Sequence, residues 1–128
     1  MKNPRLPLFA AIAWFLISLV LFTLPGTAFP RENWLNKIWF DKWVHIGIFV
    51  SLTALWSFAL YRLAKEGDKA RLRRQFILIA LLGIAYGTSI EFVQKYFVAF
   101  RSFDIGDIIA DGIGCAAGYL FSVKRLLK

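Results

Sequence analysis

The sequence has a single cysteine, only four prolines, and half as many acidic as basic residues. Cys115 alone cannot form an intramolecular disulfide or a cysteine zinc cluster, so we expect it to pack in an apolar interior. The composition excludes collagen, disordered and disulfide-scaffold chains. The G-x-S-x-G, P-loop and H-E-x-x-H motifs are also missing, so the chain carries no familiar hydrolase, nucleotide or zinc-protease signature.

Apolar residues are abundant instead: 59% of the 128 residues are hydrophobic, and the mean hydropathy is +0.59. A membrane-spanning helix needs about 20 mostly apolar residues. Four such blocks predict helices at about residues 6–24, 43–61, 75–98 and 105–123. The predicted fold is therefore an all-α, integral membrane four-helix bundle, with one domain covering residues 1–128.

The first block has an alternative interpretation, a cleaved signal peptide. Lys2 and Arg5 resemble the charged start of such a peptide. However, the block is longer than the usual apolar stretch of about 7–15 residues, and no small-residue cleavage site follows it. Pro25-Gly26 is more typical of a helix end. We therefore expect the first block to be retained as a spanning helix.

Basic residues between the apolar blocks predict the topology. Both termini and the loop between helices 2 and 3 hold eleven of them: Lys2, Arg5, Arg62, Lys65, Lys69, Arg71, Arg73, Arg74, Lys124, Arg125 and Lys128. The opposite side holds five: Arg31, Lys37, Lys42, Lys95 and Arg101. Because basic residues concentrate in cytoplasmic loops, both termini are predicted to be cytoplasmic. The net charge of +8 is thus expected to orient the helices, and no nucleic-acid partner is predicted.

The segment after helix 1 carries apolar and aromatic residues at helical spacing, namely Trp34, Leu35, Ile38 and Trp39. Such a pattern predicts a short interfacial helix that anchors the chain at the membrane surface. The alternative is a lid that contacts a substrate.

Ionisable groups inside a bilayer cost about 3 kcal/mol each on insertion scales and usually have a function. Here they gather at the predicted outer ends of helices 2, 3 and 4, within about three turns of the surface. The ionisable residues are Asp41, Lys42, His45, Glu91, Lys95, Arg101, Asp104, Asp107 and Asp111, and the polar Gln94 lies among them. The inner halves of these helices carry almost none. This placement predicts a polar pocket that opens to the outer leaflet.

Glycines continue the faces that carry the acids. Gly83 and Gly87 precede Glu91 on one stripe, and Gly114 and Gly118 follow Asp111 on another. Because G-x-x-x-G lets helix backbones approach closely in lipid, these four glycines are predicted helix-packing positions.

The candidate catalytic residues are His45, Asp41, Glu91 and Asp107. His45 would act as a general acid or base, and Asp41, four residues earlier on the same face, would orient its ring. Arg101 and Lys42 suit a phosphate or carboxylate ligand. The other candidate ligand-binding residues are Gln94, Asp104 and Asp111. No cofactor is predicted, although one histidine and several acids also suit a divalent metal.

Six of these residues also have a structural interpretation. Asp41 and Asp104 suit helix N-caps, and Asp107 suits the first turn of helix 4 through the helix dipole. Lys42 suits an interfacial position with its charge in water. His45 suits an interhelical hydrogen bond, and Glu91 suits an ion pair with Lys95 or Arg101.

The order of these residues resembles the VanZ-like family, small bacterial membrane proteins named after one associated with teicoplanin resistance. The shared pattern is D-K-x-x-H from Asp41 to His45, E-x-x-Q from Glu91 to Gln94, Arg101, and D-x-x-D from Asp104 to Asp107. The family usually continues with an asparagine where this chain has Asp111, followed by spaced glycines. The resemblance implies a bacterial plasma membrane and a link to glycopeptide response or the cell envelope.

Three functions remain open from the sequence, and it does not decide whether the protein is an enzyme. The first is an envelope protein that acts on a phosphate- or sugar-bearing lipid at the outer leaflet. The second is a non-catalytic module that binds a lipid headgroup or glycopeptide-type ligand, or docks a partner protein. The third, transport or proton relay, is disfavoured for a monomer because the inner halves of the helices lack charged residues. A homo-oligomer is an alternative to the monomer.

Overall fold

The computed structural model describes residues 3–25, 40–64 and 68–128. These ranges form four α-helices and no strand: α1 is Leu6–Thr23, α2 is Phe40–Leu63, α3 is Lys69–Phe97 and α4 is Ile105–Leu126. All four are long and apolar enough to cross a membrane. The all-α, four-helix prediction is confirmed, whereas the predicted interfacial helix at residues 34–39 lies outside the described residues.

Two helices extend beyond their predicted apolar spans. α3 begins at Lys69 and not near residue 75, because the carboxylate of Asp68 caps it by accepting a hydrogen bond from the Ala70 amide at 3.1 Å. α2 likewise begins at Phe40 and not near residue 43. Polar residues at a membrane surface can continue a helix, so hydropathy alone places such ends too far inside the span.

The closest helix contact joins α2 and α4, which pack against each other most extensively. A Cβ atom on Gly114 would lie 2.7 Å from the Ile46 carbonyl oxygen, and one on Gly118 would lie 2.7 Å from Cβ of Thr53. The absence of side chains at these two glycines therefore lets α4 rest directly on the backbone of α2.

The other pair of predicted packing glycines lies on α3 and faces α4. A Cβ atom on Gly83 would lie 2.7 Å from Sγ of Cys115, and one on Gly87 would overlap a carboxylate oxygen of Asp111. Cys115 is fully buried there, as part of an apolar core that includes Phe22 and Phe49. The structure thus places all four glycines at helix contacts.

The two ends of the bundle differ in character. At the carboxylate end, where α1 and α3 finish and α2 and α4 begin, lie Asp41, Lys42, His45, Glu91, Gln94, Arg101, Asp104, Asp107 and Asp111. At the basic end, where α2 and α4 finish and α3 begins, Leu72, Phe76 and Leu127 form a small apolar core. Arg62, Lys69 and Lys128 surround a polar surface depression beside it.

The outer faces of the helices are apolar. Large side chains such as Leu16, Leu82 and Leu120 are more than half exposed. Water would penalise an apolar surface of this extent, whereas the hydrocarbon of a bilayer would not. The fold is that of a multi-pass membrane protein.

Candidate functional site

His45 lies between two aspartates of α4. Its Nδ1 is 2.7 Å from Oδ1 of Asp111, and its Nε2 is 3.6 Å from Oδ2 of Asp107. All three side chains are buried, and the ring of Phe22 lies 5.0 Å from the imidazole ring. The prediction that Asp41 orients His45 is wrong. The close packing of α2 on α4 brings Asp111 to the ring, whereas Asp41 is exposed and pairs with Lys42.

Lys42 joins three carboxylates from two elements. Its Nζ donates to Asp41 at 2.8 Å, to Asp104 at 2.5 Å and to Asp107 at 2.8 Å. Gly106 leaves room for it, because a Cβ atom there would lie 2.7 Å from Cε of Lys42. A lysine ammonium has three protons, so these bonds use its full donor capacity. Lys42 therefore acts as an internal counter-ion, and an added anion would have to compete with these aspartates.

Glu91 is fully buried on α3. Its Oε2 accepts a hydrogen bond from the Asp104 amide at 3.0 Å, which ties the end of α3 to the start of α4. Its Oε1 has no hydrogen-bond partner among the described residues, and neither has Oδ2 of Asp111. A buried oxygen without a partner costs about 1–3 kcal/mol, more when charged. Glu91 is not paired with Lys95, whose Nζ lies 5.2 Å from the centre of the Tyr96 ring.

Asp104 and Asp107 begin α4. Asp104 is its N-cap and accepts a hydrogen bond from the Gly106 amide at 2.8 Å, while Asp107 lies in the first turn. The structural interpretation of both residues is therefore confirmed. The hydrogen bond from Lys42 holds the pKa of the Asp104 carboxyl below its usual value. Asp41, in contrast, is in the first turn of α2 and not at an N-cap.

Arg101 and Gln94 fasten the end of α1 to the rest of the bundle. Nε and Nη2 of Arg101 donate to the carbonyl oxygens of Leu24 and Leu21 at 3.2 and 3.3 Å, and Nε2 of Gln94 donates to that of Phe22 at 3.0 Å. Carbonyl groups at a helix end lack helical partners, so these donors satisfy them. Burial lowers the pKa of the Arg101 guanidinium. A role of either residue in ligand binding stays a prediction.

The side chains of the cluster become steadily less exposed toward the interior. Exposure falls from 58% at Asp41 through 23% at Lys42 and 10% at Asp107 to 5% at His45 and 1% at Asp111. Each is within 3.6 Å of the next. This relay, as we name the five residues, links the surface of the carboxylate end to a buried imidazole. It has the donors and acceptors needed to exchange a proton or to hold a cation.

Two polar contacts near the cluster could be predicted only weakly from the sequence. Oγ of Ser18 and the Tyr86 hydroxyl are 2.7 Å apart, and Nε1 of Trp14 donates to Oγ of Ser51 at 2.8 Å. The only indication in the sequence is that both serines interrupt long apolar blocks. These hydrogen bonds hold α1 against α3 and α2, and so keep the ring of Phe22 over His45.

A cavity of about 270 Å³ lies at mid-length of the bundle. It is almost entirely apolar and is lined by Phe15, Leu52, Trp56, Ile79, Leu82, Gly83 and Tyr86. None of the ionisable cluster residues lines it. The cavity therefore suits a hydrocarbon chain and not a polar headgroup.

Comparisons with known proteins agree with the motif-based resemblance. A family model described as VanZ/LLP1 matches residues 6–127, nearly the whole chain. An uncharacterized protein of the fission yeast Schizosaccharomyces pombe is 29% identical over 120 residues, which cover 91% of this chain and 67% of the yeast protein. No solved structure matches the chain.

Proposed function

Because this chain belongs to the VanZ/LLP1 family, we propose that it acts on the headgroup of a phosphate- or sugar-bearing membrane lipid at the carboxylate end of the bundle. The observation that carries this proposal is the relay, which links exposed Asp41 to buried His45 at one end of four membrane-length helices. Ionisable groups held within membrane helices are costly and usually functional.

In this proposal His45 exchanges a proton with the headgroup. Asp111 fixes the ring through Nδ1, which leaves Nε2 directed toward Asp107 and the more exposed part of the relay. Lys42 keeps Asp107 and Asp104 in place. Arg101 and Gln94 act indirectly, because they hold the end of α1 and with it the ring that covers His45.

The apolar cavity supports a lipid over a soluble ligand. The cavity is lined by residues of α1, α2 and α3, and Tyr86 is the lining residue of α3 nearest the carboxylate end. In a membrane it would lie at the depth of the lipid hydrocarbon chains. A lipid with its headgroup at the carboxylate end would place its chain at this depth. A glycopeptide-type ligand is the second candidate from the family resemblance. An apolar cavity would not favour such a polar ligand.

The proposed location is the bacterial plasma membrane, with the basic end in the cytoplasm and the carboxylate end facing outward. The excess of lysine and arginine at the basic end supports this orientation. A relative also occurs in fission yeast. The bacterial cell-envelope setting therefore rests on the resemblance of the motifs and not on this relative. Reporter fusions at residue 128 should be active in the cytoplasm only, and activity outside would reverse the orientation.

Turnover by the purified full-length protein would test the function. The chain would be reconstituted in vesicles containing phosphatidylglycerol, phosphatidate, a glycolipid or a polyprenyl phosphate, and products would be followed by mass spectrometry. We expect His45→Gln and Asp111→Asn to lower turnover at least about 100-fold, the usual contribution of a general acid or base. Lys95→Gln, at the same end but outside the relay, is the matched control and should keep full activity.

A non-catalytic binding role is the second candidate, because the donors of Lys42 are all used by protein carboxylates. In that case lipids would copurify with the chain without turnover. Asp107→Glu would then be tolerated, whereas an acid that takes part in catalysis rarely accepts an added methylene. If lipid copurifies with the chain but none of the four lipids is converted to a product, the binding role replaces the catalytic one.

A further inference from the structure

A second feature of the carboxylate end does not depend on turnover. His45, Glu91 and Asp111 come from three different helices, α2, α3 and α4, and all three are buried. Each offers one ligand atom, and these atoms lie within 4.8 Å of one another. Side chains of these types are common ligands of divalent metal ions.

The unpartnered oxygens point to a missing cation. Glu91 is 0% exposed and Asp111 is 1% exposed, and each keeps one carboxylate oxygen without a hydrogen-bond partner among the described residues. Oδ2 of Asp111 faces Gly87 on α3, the helix that carries Glu91 one turn later. Two carboxylates this close in a buried site repel each other when both are charged, and a proton or a bound cation relieves that repulsion.

The charge of the whole cluster leads to the same inference. Five carboxyl groups, on Asp41, Glu91, Asp104, Asp107 and Asp111, gather around two permanent cations and one histidine. Lys42 serves three of these carboxylates, Asp41, Asp104 and Asp107. None of these three bonds reaches Glu91 or Asp111, the two acids of the buried group. Arg101 interacts electrostatically with Glu91 and Asp107, but the five carboxylates still outnumber the positive charges. A divalent cation at the buried group would reduce that excess.

We propose that His45, Glu91 and Asp111 bind a divalent transition metal ion, Zn²⁺ or Mn²⁺. Ligand atoms lie about 2.0–2.2 Å from zinc, so two ligands on opposite sides of an ion are roughly 4 Å apart. The ligand atoms of the three residues all lie within 4.8 Å of one another, which is compatible with ligands around one ion. When an ion binds, the proton shared by Nδ1 of His45 and Oδ1 of Asp111 would be released to solvent, which frees both atoms to act as ligands. The proposed function does not need the ion, because the imidazole exchanges a proton when no metal is bound.

Metal binding would be measured on the full-length chain, purified in detergent without a histidine tag and dialysed against Zn²⁺ or Mn²⁺. We expect about one ion per chain. Glu91→Gln and Asp111→Asn should weaken binding at least about 10-fold. Asp68→Asn, at the basic end, is the matched control and should bind as the unchanged chain does. Retention of neither ion, or equal loss in the control, would overturn the proposal.

A second measurement needs no variant and so does not depend on variant folding. X-ray absorption at the edge of the bound metal in the unchanged chain should show a shell of nitrogen and oxygen ligands that includes one imidazole. An oxygen-only shell would place the ion at the outer acids and overturn the assignment. A sulfur ligand would assign it to Cys115 instead. Metal binding without lipid turnover would support the metal site and contradict the proposed function. Lipid turnover without metal binding would support the proposed function and contradict the metal site.

Discussion

The two ends of the bundle hold their helices together in different ways. At the carboxylate end, buried side chains join the helices by hydrogen bonds and ion pairs, as between His45 and Asp111 or between Lys42 and Asp107. At the basic end, apolar side chains such as Phe76 and Leu127 fill the space between helices. Charged residues there, such as Lys69, lie on the surface.

The charged residues of the two ends therefore differ in their surroundings. Surface cations at the basic end are accessible to water and lipid headgroups, which solvate them. The acids at the carboxylate end are removed from water and depend on Lys42, His45 and backbone amides. Such an arrangement is costly within membrane helices, where ionisable residues are usually functional.

The largest expected effect comes from removing the shared counter-ion. Lys42→Met should lower the free energy of unfolding by about 2–4 kcal/mol, because three carboxylates lose a partly buried cation. The matched control is Lys69→Met at the basic end, where Lys69 donates to the backbone oxygen of Lys128. Its cost should stay within about 0.5 kcal/mol. Thermal unfolding in detergent micelles measures both, and equal costs would contradict the comparison.

The second-largest expected loss of stability comes from disturbing the contact between α2 and α4. Gly114→Ala should cost about 1–3 kcal/mol, because the added methyl group would meet the backbone of α2 at Ile46, which cannot move aside. Gly112, two residues earlier on α4, has no atom within 4 Å of the corresponding position. Gly112→Ala should therefore be neutral or stabilise α4 by up to about 1 kcal/mol. Unfolding of the two variants in the same detergent would show the difference, and similar stabilities would refute the close α2–α4 contact.

The smallest effect compares the two aspartate caps. Asp104→Asn should cost about 0.5–1 kcal/mol at neutral pH, because asparagine still caps α4 but no longer pairs with Lys42. Asp68→Asn, which caps α3 at the basic end, is the control and should be nearly neutral.

The cost at Asp104 should also depend on pH. Because Lys42 lowers the pKa of the folded Asp104 carboxyl, the stabilisation is complete above the unfolded pKa of about 3.9. It is lost as the pH falls through the folded pKa. The melting temperatures of the unchanged chain and Asp104→Asn should therefore converge below pH of about 4. A difference that persists unchanged at lower pH would mean that the Lys42 pair is not its source.

The site could be predicted in part because membrane helices make polar residues conspicuous. His45, Glu91, Asp107 and Asp111 were singled out by their presence in apolar blocks, and the structure brings them to one end. Their partners were harder to predict. Asp41 is four residues from His45 on the same helix, yet the ring turns toward Asp111, which is 66 residues away along the chain. Periodicity describes one helix at a time and carries no information on which neighbour it meets.

Arg101 shows the same limit. Its charge suggested an anion ligand, but its guanidinium donates to the carbonyl oxygens at the end of α1. That contact depends on where α1 stops relative to the connection between α3 and α4, a distance that no local pattern encodes.

The sequence by itself determined the number of helices, their order and the end at which the ionisable residues collect, because a bilayer demands apolar spans of set length. It also indicated the close contacts through glycines at G-x-x-x-G spacing. Only the tertiary structure decided that Lys42 serves three aspartates, that His45 is held by Asp111, and that Glu91 keeps an oxygen without a partner. Those features follow from the rotation of α2, α3 and α4 about their axes, which side-chain packing across the helix interfaces sets.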